Sequence, residues 1–399
     1  MASLSSYRKR YKKGDRRDRS KLLDEFCEMT EYHRKYAIAL LGRPVDAVVP
    51  PGPRRRRGAS YGPAVCRALE YCWEHAGYPW SARLKAMLPQ WLPWASRHLR
   101  SLTPEVEQAL LKISPRQMDR LLADKKRGNK KRLYGHTKPG QLLKSQIPIR
   151  TDNWDVTSPG YLEIDLVVHC GPSASGEFIC SFNLTDICTG WTETRAIMGK
   201  GEAGVVAALE EIRLELPFDL VAIDSDNGSE FINHHLVRWC KKHTITFTRS
   251  RPYKKNDNAH IEQKNWTHVR RIFGWDRYDT AEQCAMMNAL YRSELYHMQN
   301  LFQPCVKLVG KTRVGSKVRR HYDTAMTPLD RLVAFHGTNP IPLRVQRLLT
   351  VRENLDPFGL SSRIDAGLTR LTRTTRQEKQ KKSQQTSIIV QFTPSPGRG

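Results

Sequence analysis

Tyr161-Leu-Glu-Ile-Asp-Leu-Val-Val-His169 is the stretch on which the fold turns. Leu162, Ile164 and Leu166 alternate with Glu163, Asp165 and Val167, the period-two pattern of a half-buried strand. Asp165 therefore projects from a rigid element. A second acid follows in Leu220-Val-Ala-Ile-Asp-Ser-Asp-Asn-Gly-Ser229, an apolar run that stops at Asn-Gly, so Asp226 falls where a strand ends and the chain turns. Ser229 can cap a helix through Glu230, Phe231 and Leu236. Such strand ends beside helix starts are common ligand sites in α/β sheets. Asp224 competes for this second place because it shares a strand face with Asp226, although it sits farther inside the strand. The third acid lies in Asn256-Asp-Asn-Ala-His-Ile-Glu-Gln-Lys-Asn-Trp266, where Asn258 can cap a helix and Ile261, Val269 and Ile272 form its apolar stripe. Glu262 and Asn265 then share a helix face.

The flanking sequence completes an α/β core. Strands are expected at about 161 to 169, 177 to 187 and 191 to 198 as an antiparallel meander, with turns at Gly171 to Gly176 and Thr189-Gly190. Asp186 is positioned to fix the second turn, and Glu163 is a candidate auxiliary acid. A helix at about 202 to 215, strands at 220 to 226 and 244 to 249, and a helix between them at 229 to 242 continue the pattern. Helices at about 257 to 273 and 279 to 300 close it.

Composition points to a polyanionic partner. The 399 residues carry 66 Lys and Arg against 40 Asp and Glu, a formal charge of +26, and a nucleic acid is its natural counterpart. The plainer readings are solubility or an acidic protein partner. Nine cysteines form no Cys-x-x-Cys pair, which argues against a disulfide framework or zinc ribbon. Cys66, Cys72 and His75 share one expected helix with Leu69 and Trp73 and read as packing. No secretion signal or membrane span is visible, so a cytoplasmic setting is expected.

Upstream, residues 1–49 read as a charged, disordered arm followed by a first helix-turn-helix. In it Leu22, Leu23 and Phe26 pack one helix, Thr30 caps the next, and Arg34 and Lys35 face outward. A basic linker at 50–61 contains Arg54, Arg55, Arg56 and Arg57, suited to tracking phosphates. A second helical DNA-binding domain spans 62–127. Thr103-Pro104 and Ser114-Pro115 each place a cap before an N1 proline. Arg116, Gln117 and Arg120 fall at the start of its last helix, where Arg can read guanine and Gln adenine. A linker at 128–158 leads to the core at 159–301. A basic β/α extension follows at 302–369, and a tail at 370–399, rich in Arg, Lys, Gln, Ser and Thr, is expected to be disordered. The fold class is therefore multidomain: all-α helix-turn-helix units, a central α/β core and a basic C-terminal β/α extension.

Asp165 in Leu-Glu-Ile-Asp, Asp226 in Ser-Asp-Asn-Gly-Ser-Glu-Phe and Glu262 in His-Ile-Glu-Gln-Lys-Asn, with 35 residues between the last two acids, resemble the motifs of DDE transposases of the integrase catalytic-core superfamily. The likeness is to bacterial insertion-sequence types in particular. The Arg251-Pro-Tyr-Lys-Lys stretch fits too, and the resemblance covers roughly residues 155 to 335. One departure is Ala259, where retroviral integrases usually carry glycine; alanine favours a firmer helix start. The resemblance implies an RNase H-like core, a five-stranded mixed sheet flanked by helices. It further implies metal-dependent cleavage at transposon ends and transfer of a DNA 3′-hydroxyl into target DNA.

On that reading Asp165 bridges two Mg²⁺ ions, with Asp226 on one and Glu262 on the other, and Mn²⁺ can substitute. Asn265 orients Glu262 or touches phosphate, while Lys254, Lys255 and Lys264 hold the DNA backbone. The partner is double-stranded DNA, terminal repeats and target alike. A homodimer or higher assembly is expected on it, in a bacterial, nucleoid-associated setting. A metal-dependent nuclease without strand transfer and an inactive DNA-binding protein are the alternatives.

Overall fold

The computed structural model describes residues 4–43, 61–128, 156–225, 234–249, 259–314 and 317–392, which fall in two units divided after Ser60. The first unit is three helices, α1 (Leu4–Lys13), α2 (Arg16–Thr30) and α3 (Arg34–Leu41), closed on Tyr7, Leu22, Leu23, Phe26, Ala37 and Leu41. Two expectations are corrected here. The arm is helical from Leu4, because Tyr7 packs against Phe26 with tilted rings at 5.1 Å and Asp15 and Asp18 form a capping box that starts α2. Thr30 caps nothing: its hydroxyl turns back to the Phe26 carbonyl, and α3 is capped by His33 after a left-handed Glu31.

The second unit opens with α4 (Pro63–His75), α5 (Ser81–His98), α6 (Pro104–Lys112), α7 (Pro115–Leu121) and α8 (Ala123–Gly128). Thr103 and Ser114 accept from the third backbone N–H of α6 and α7, each helix with proline at N1. Cys72, only 1% exposed, packs inside α4 as its sequence context suggests.

The central sheet comprises β1 (Tyr161–Val168), β2 (Ile179–Asp186), β3 (Thr192–Met198), β4 (Ala222–Ser225) and β5 (Thr246–Arg249), in the order β3-β2-β1-β4-β5. The first three are antiparallel; β4 runs parallel to β1 and β5 parallel to β4. This is the five-stranded mixed sheet expected from the sequence. One face carries Leu162, Ile164, Phe182, Leu184 and Ile223 and is covered by α9 (Glu202–Glu215) through Val205, Leu209 and Ile212. On the same face Arg195, 2% exposed, donates to Glu193, Glu211 and Glu215 and ties β3 to α9. Helix α10 (His234–Lys242) packs beside α9.

The opposite, polar face carries Glu163, Asp165, Asn183, Thr185, Thr194, Asp224 and Thr248. The registers Asp165↔Asn183↔Thr194 and Glu163↔Asp224↔Thr248 set them in rows. Against it lie α11 (Ala259–Lys264), a π-helical turn over Asn265–Arg270, α12 (Arg271–Phe273) and α13 (Ala281–Arg292). After α14 (Glu294–His297) and a second π turn at Met298–Phe302, a hairpin of β6 (Leu308–Val314) and β7 (Lys317–Tyr322) leads to α15 (Pro328–His336), α16 (Leu343–Asn354) and α17 (Pro357–Phe392).

Helix α17 corrects the expectation of a disordered tail, since residues 370–392 are helical and no break separates them from the segment before. Its start is anchored by Phe358, whose ring lies 5.0 Å from Trp91 and 5.2 Å from Tyr71, and by Asp356, 2.7 Å from His98. Leu371 and Thr375 carry that burial past residue 370. The helical segment 61–128 thus shares one continuous apolar cluster with the sheet and with α17.

Asp186 fixes the second turn as expected, accepting from Thr189 N and Oγ1, and it also accepts from Gly160 N at 2.8 Å. Gly160 has φ +108°, its carbonyl takes the amides of Val221 and Ala222, and an added Cβ would lie 2.4 Å from the Asp219 carbonyl oxygen. Gly160→Ala is expected to cost about 2 kcal/mol or more by strain and displacement of β4. Urea unfolding checks this, and a midpoint equal to that of the parent protein would contradict it.

Candidate acidic site on the sheet

Asp165 sits in the middle of β1, half-buried. Its Oδ1 accepts from the Leu166 amide at 2.8 Å and its Oδ2 from Asn265 Nδ2 at 2.6 Å. These two contacts orient the carboxylate. Asn265 is itself held, because Asn183 Nδ2 donates to its Oδ1 at 2.8 Å and Thr194 Oγ1 donates to Asn183 Oδ1 at 3.0 Å. The relay runs from β3 through β2 to the helix and returns to β1. It fixes the amide of Asn265 with nitrogen toward the acid. Asn265 therefore orients Asp165, while the Glu262 side chain, one of its expected partners, lies outside the described residues.

Two residues earlier on the same strand, Glu163 is fully buried and its Oε2 accepts from Ile261 N at 2.9 Å. Ile261 lies in the first turn of α11, where backbone N–H groups lack intrahelical acceptors. Glu163 thus serves as a helix anchor. Glu262 follows directly in that helix; of it only the backbone is described.

Asp224 is fully buried in β4 and accepts from Thr248 Oγ1 at 2.6 Å. Strand β4 ends at Ser225, opposite Ile164. Asp226, Lys254, Lys255 and Arg54 to Arg57 lie outside the described residues. Among the described residues no group of three or more His, Cys, Asp or Glu side chains forms a metal cluster.

The residues expected to bind DNA fare unevenly. Arg34 is exposed and bonds to Asp24 and to Ser20 Oγ on α2, with Lys35 exposed beside it. Arg116 and Arg120 are exposed on α7, and Gln117 is half-buried, accepting from Arg120 at 3.4 Å. Lys264 is a correction: at 7% exposure it faces inward, with Nζ 3.3 Å from His268 Nε2. Burial pushes its ammonium down to about 8 and holds the His268 imidazole well below its usual range. So placed, Lys264 lines a cavity between packed helices and is not on the outer surface. Asn183 escaped the sequence reading; its signal was an amide inside a strand, where asparagine is disfavoured.

The chain carries an integrase core domain, a type whose general chemistry is polynucleotidyl transfer. Residues 156–255 match the integrase core domain. It falls in one family with the uncharacterized protein y4rM of Sinorhizobium fredii (strain NBRC 101917 / NGR234), 41% identical over 328 residues, which are 81% of this chain and 91% of that protein. Among solved structures, the catalytic core domain of BIV integrase is similar at 17% identity and a TM-score of 0.31, over 44% of this chain and 96% of that one. The HTLV-2 integrase catalytic core domain, solved as a dimer with magnesium, is similar at 11% identity and a TM-score of 0.27, over 37% and 90%.

With Asp165 read as a metal ligand for DNA strand cleavage, Asn265→Ala is expected to lower cleavage about 10- to 100-fold and to raise the Mg²⁺ concentration needed for half-maximal rate. Asn183→Ala should move both quantities the same way by less. A Mg²⁺ titration that neither variant shifts would show that the relay does not act on Asp165.

Proposed function

We propose that the protein is a DNA transposase that cuts the ends of its own element and joins the freed 3′-hydroxyl to target DNA, with Asp165, Asp226 and Glu262 as its acidic set. The observation that carries this reading is the double attachment of α11 to β1. Ile261 is bonded to Glu163 and Asn265 to Asp165, so the backbone of Glu262 is held between two points on the strand that bears Asp165. Further support comes from the 35-residue spacing of Asp226 and Glu262, the integrase-core match and the charge of +26. Asp224 is engaged by Thr248 inside the sheet, which favours Asp226 as the second acid.

The donor set suits a hard cation. Carboxylate oxygens on a rigid strand and helix fit Mg²⁺, with Mn²⁺ as substitute. A bound pair would supply charge stabilisation at the attacking and leaving oxygens of an in-line displacement. The protein's own part is to hold Asp165 in one orientation through Asn265 and to keep the Glu262 helix at a fixed distance from β1. Arg34, Lys35, Arg116, Gln117 and Arg120, together with Arg54 to Arg57, Lys254 and Lys255, are assigned to double-stranded DNA, the α7 residues to base edges and the rest to phosphates. Two ends must be held together, so a homodimer or higher assembly on DNA is expected, in a bacterial cytoplasm at the nucleoid. Among the described residues no helix is long and apolar enough to cross a membrane.

Incubation with a labelled terminal-repeat duplex, target DNA and Mg²⁺ tests the proposal. Joined products are expected. Nicking alone would replace it with a nuclease, and a mobility shift without cleavage with a DNA-binding protein that does no chemistry. Asp226→Asn should retain duplex affinity while cleavage falls about 1000-fold or more, as loss of several kcal/mol of transition-state stabilisation requires. Cleavage at the parental rate would remove Asp226 from the acidic set.

A further inference from the structure

The helix bearing Glu262 presents a second edge, Lys264 and His268, to a cavity of about 310 Å³ between α4, α5, the π turn at Asn265–Arg270, the second π turn and α17. Arg83 from α5 and Arg271 from α12 also line it. Lys264 donates toward His268 Nε2, so the imidazole is neutral there and its Nδ1–H faces Thr267 Oγ1 at 2.7 Å. Arg83 has an Nε with no hydrogen-bond partner, and Arg271 directs its Nη2 to the carbonyls of Gly77 and Tyr78. Among the described residues no carboxylate is ion-paired with Arg83, Lys264 or Arg271, although Glu74 and Asp365 also border the space.

Of the three cations Lys264 is buried, Arg83 half-buried and Arg271 exposed, and a buried ion without a counter-charge costs several kcal/mol. An anion in the cavity offsets that cost. The donors present are two guanidinium groups, matched in shape to bidentate oxyanions, and an ammonium, a compact phosphate ligand. The volume lies at the low end for small-molecule sites. We propose that this cavity is a phosphate-binding site, held by Arg83, Lys264 and Arg271 and separate from the acidic set on the sheet. The phosphate belongs either to a small free anion or to a DNA backbone, and the two sources share this chemistry.

Thermal unfolding of the full chain in metal-free buffer with increasing inorganic pyrophosphate is the test. A saturable rise of a few degrees is expected beyond that given by sodium chloride at equal ionic strength. Arg83→Met and Lys264→Met should each abolish most of the rise while leaving the ligand-free protein at least as stable. Arg347→Met, at an exposed site on α16, should keep it and so excludes a general response of a basic surface. Arg83 is only partly buried, so Arg83→Met decides the matter if Lys264→Met fails to fold. No saturable rise, or a rise that both variants retain, would overturn the proposal. Duplex affinity measured against salt then assigns the source. A weaker, less salt-dependent complex in Arg83→Met identifies a backbone phosphate, and unchanged duplex binding with the pyrophosphate response lost identifies a free anion. Because no metal or cleavage enters the readout, failure here leaves the transposase reading untouched, and the reverse holds.

Discussion

The acceptance of the Ile261 amide by the buried Glu163 carboxylate is the interaction on which the acidic site depends. It sets a carboxyl acceptor at the start of a helix, where backbone N–H groups lack intrahelical partners. Without it, a buried carboxylate and a first-turn amide both lose a partner, a loss of about 1–3 kcal/mol. The second attachment, Asn265 to Asp165, lies one turn farther along. A helix fixed at one point can swing; one fixed at two points along its axis keeps its register against the strand. Glu163 thus positions the residue that follows Ile261, though it reads in sequence as one more acid in a strand.

The sheet was legible because its signals are local. The alternation in β1, the apolar run into β4 and the turn glycines required nothing beyond neighbouring residues, and the five strands lie where the pattern put them. The place of Asp165 on β1 was legible from the alternation of that strand. The roles of its neighbours were not, because those depend on cross-strand register. Asn183 meets Asp165 only when β1 and β2 pair antiparallel in one particular frame, and Asn265 meets both only when the helix lies across that row. Lys264 was misread for a similar reason: a lysine in a basic chain is solvated by default, and only the packing of α5 and the C-terminal elements over the helix encloses it.

The tail was misread because low hydrophobicity was taken as a lack of burial. A few well-spaced contacts suffice to start a helix on an existing core, and Phe358 supplies one by entering an aromatic cluster with Tyr71, Trp91 and His98. Ile364, Leu371 and Thr375 continue the inward stripe. The same contacts draw α4 and α5 against α17, so segments that read as separate domains in sequence share one apolar interior.

The π turn at Asn265–Arg270 explains how one helix serves two surroundings. A regular helix offers a narrow inward stripe, whereas a wider turn shifts the residues after it and broadens that stripe. Here Lys264, His268 and Val269 are all buried while Asn265 still reaches Asp165. One edge of the helix meets the acids of β1 and the other meets Arg83 and the cavity, so the two sites share a rigid element only a few residues long. Any group that neutralises Lys264 acts on the same turn that holds Asn265. The same short helix therefore borders both the acidic row of β1 and the cavity, with Asn265 on one edge and Lys264 and His268 on the other.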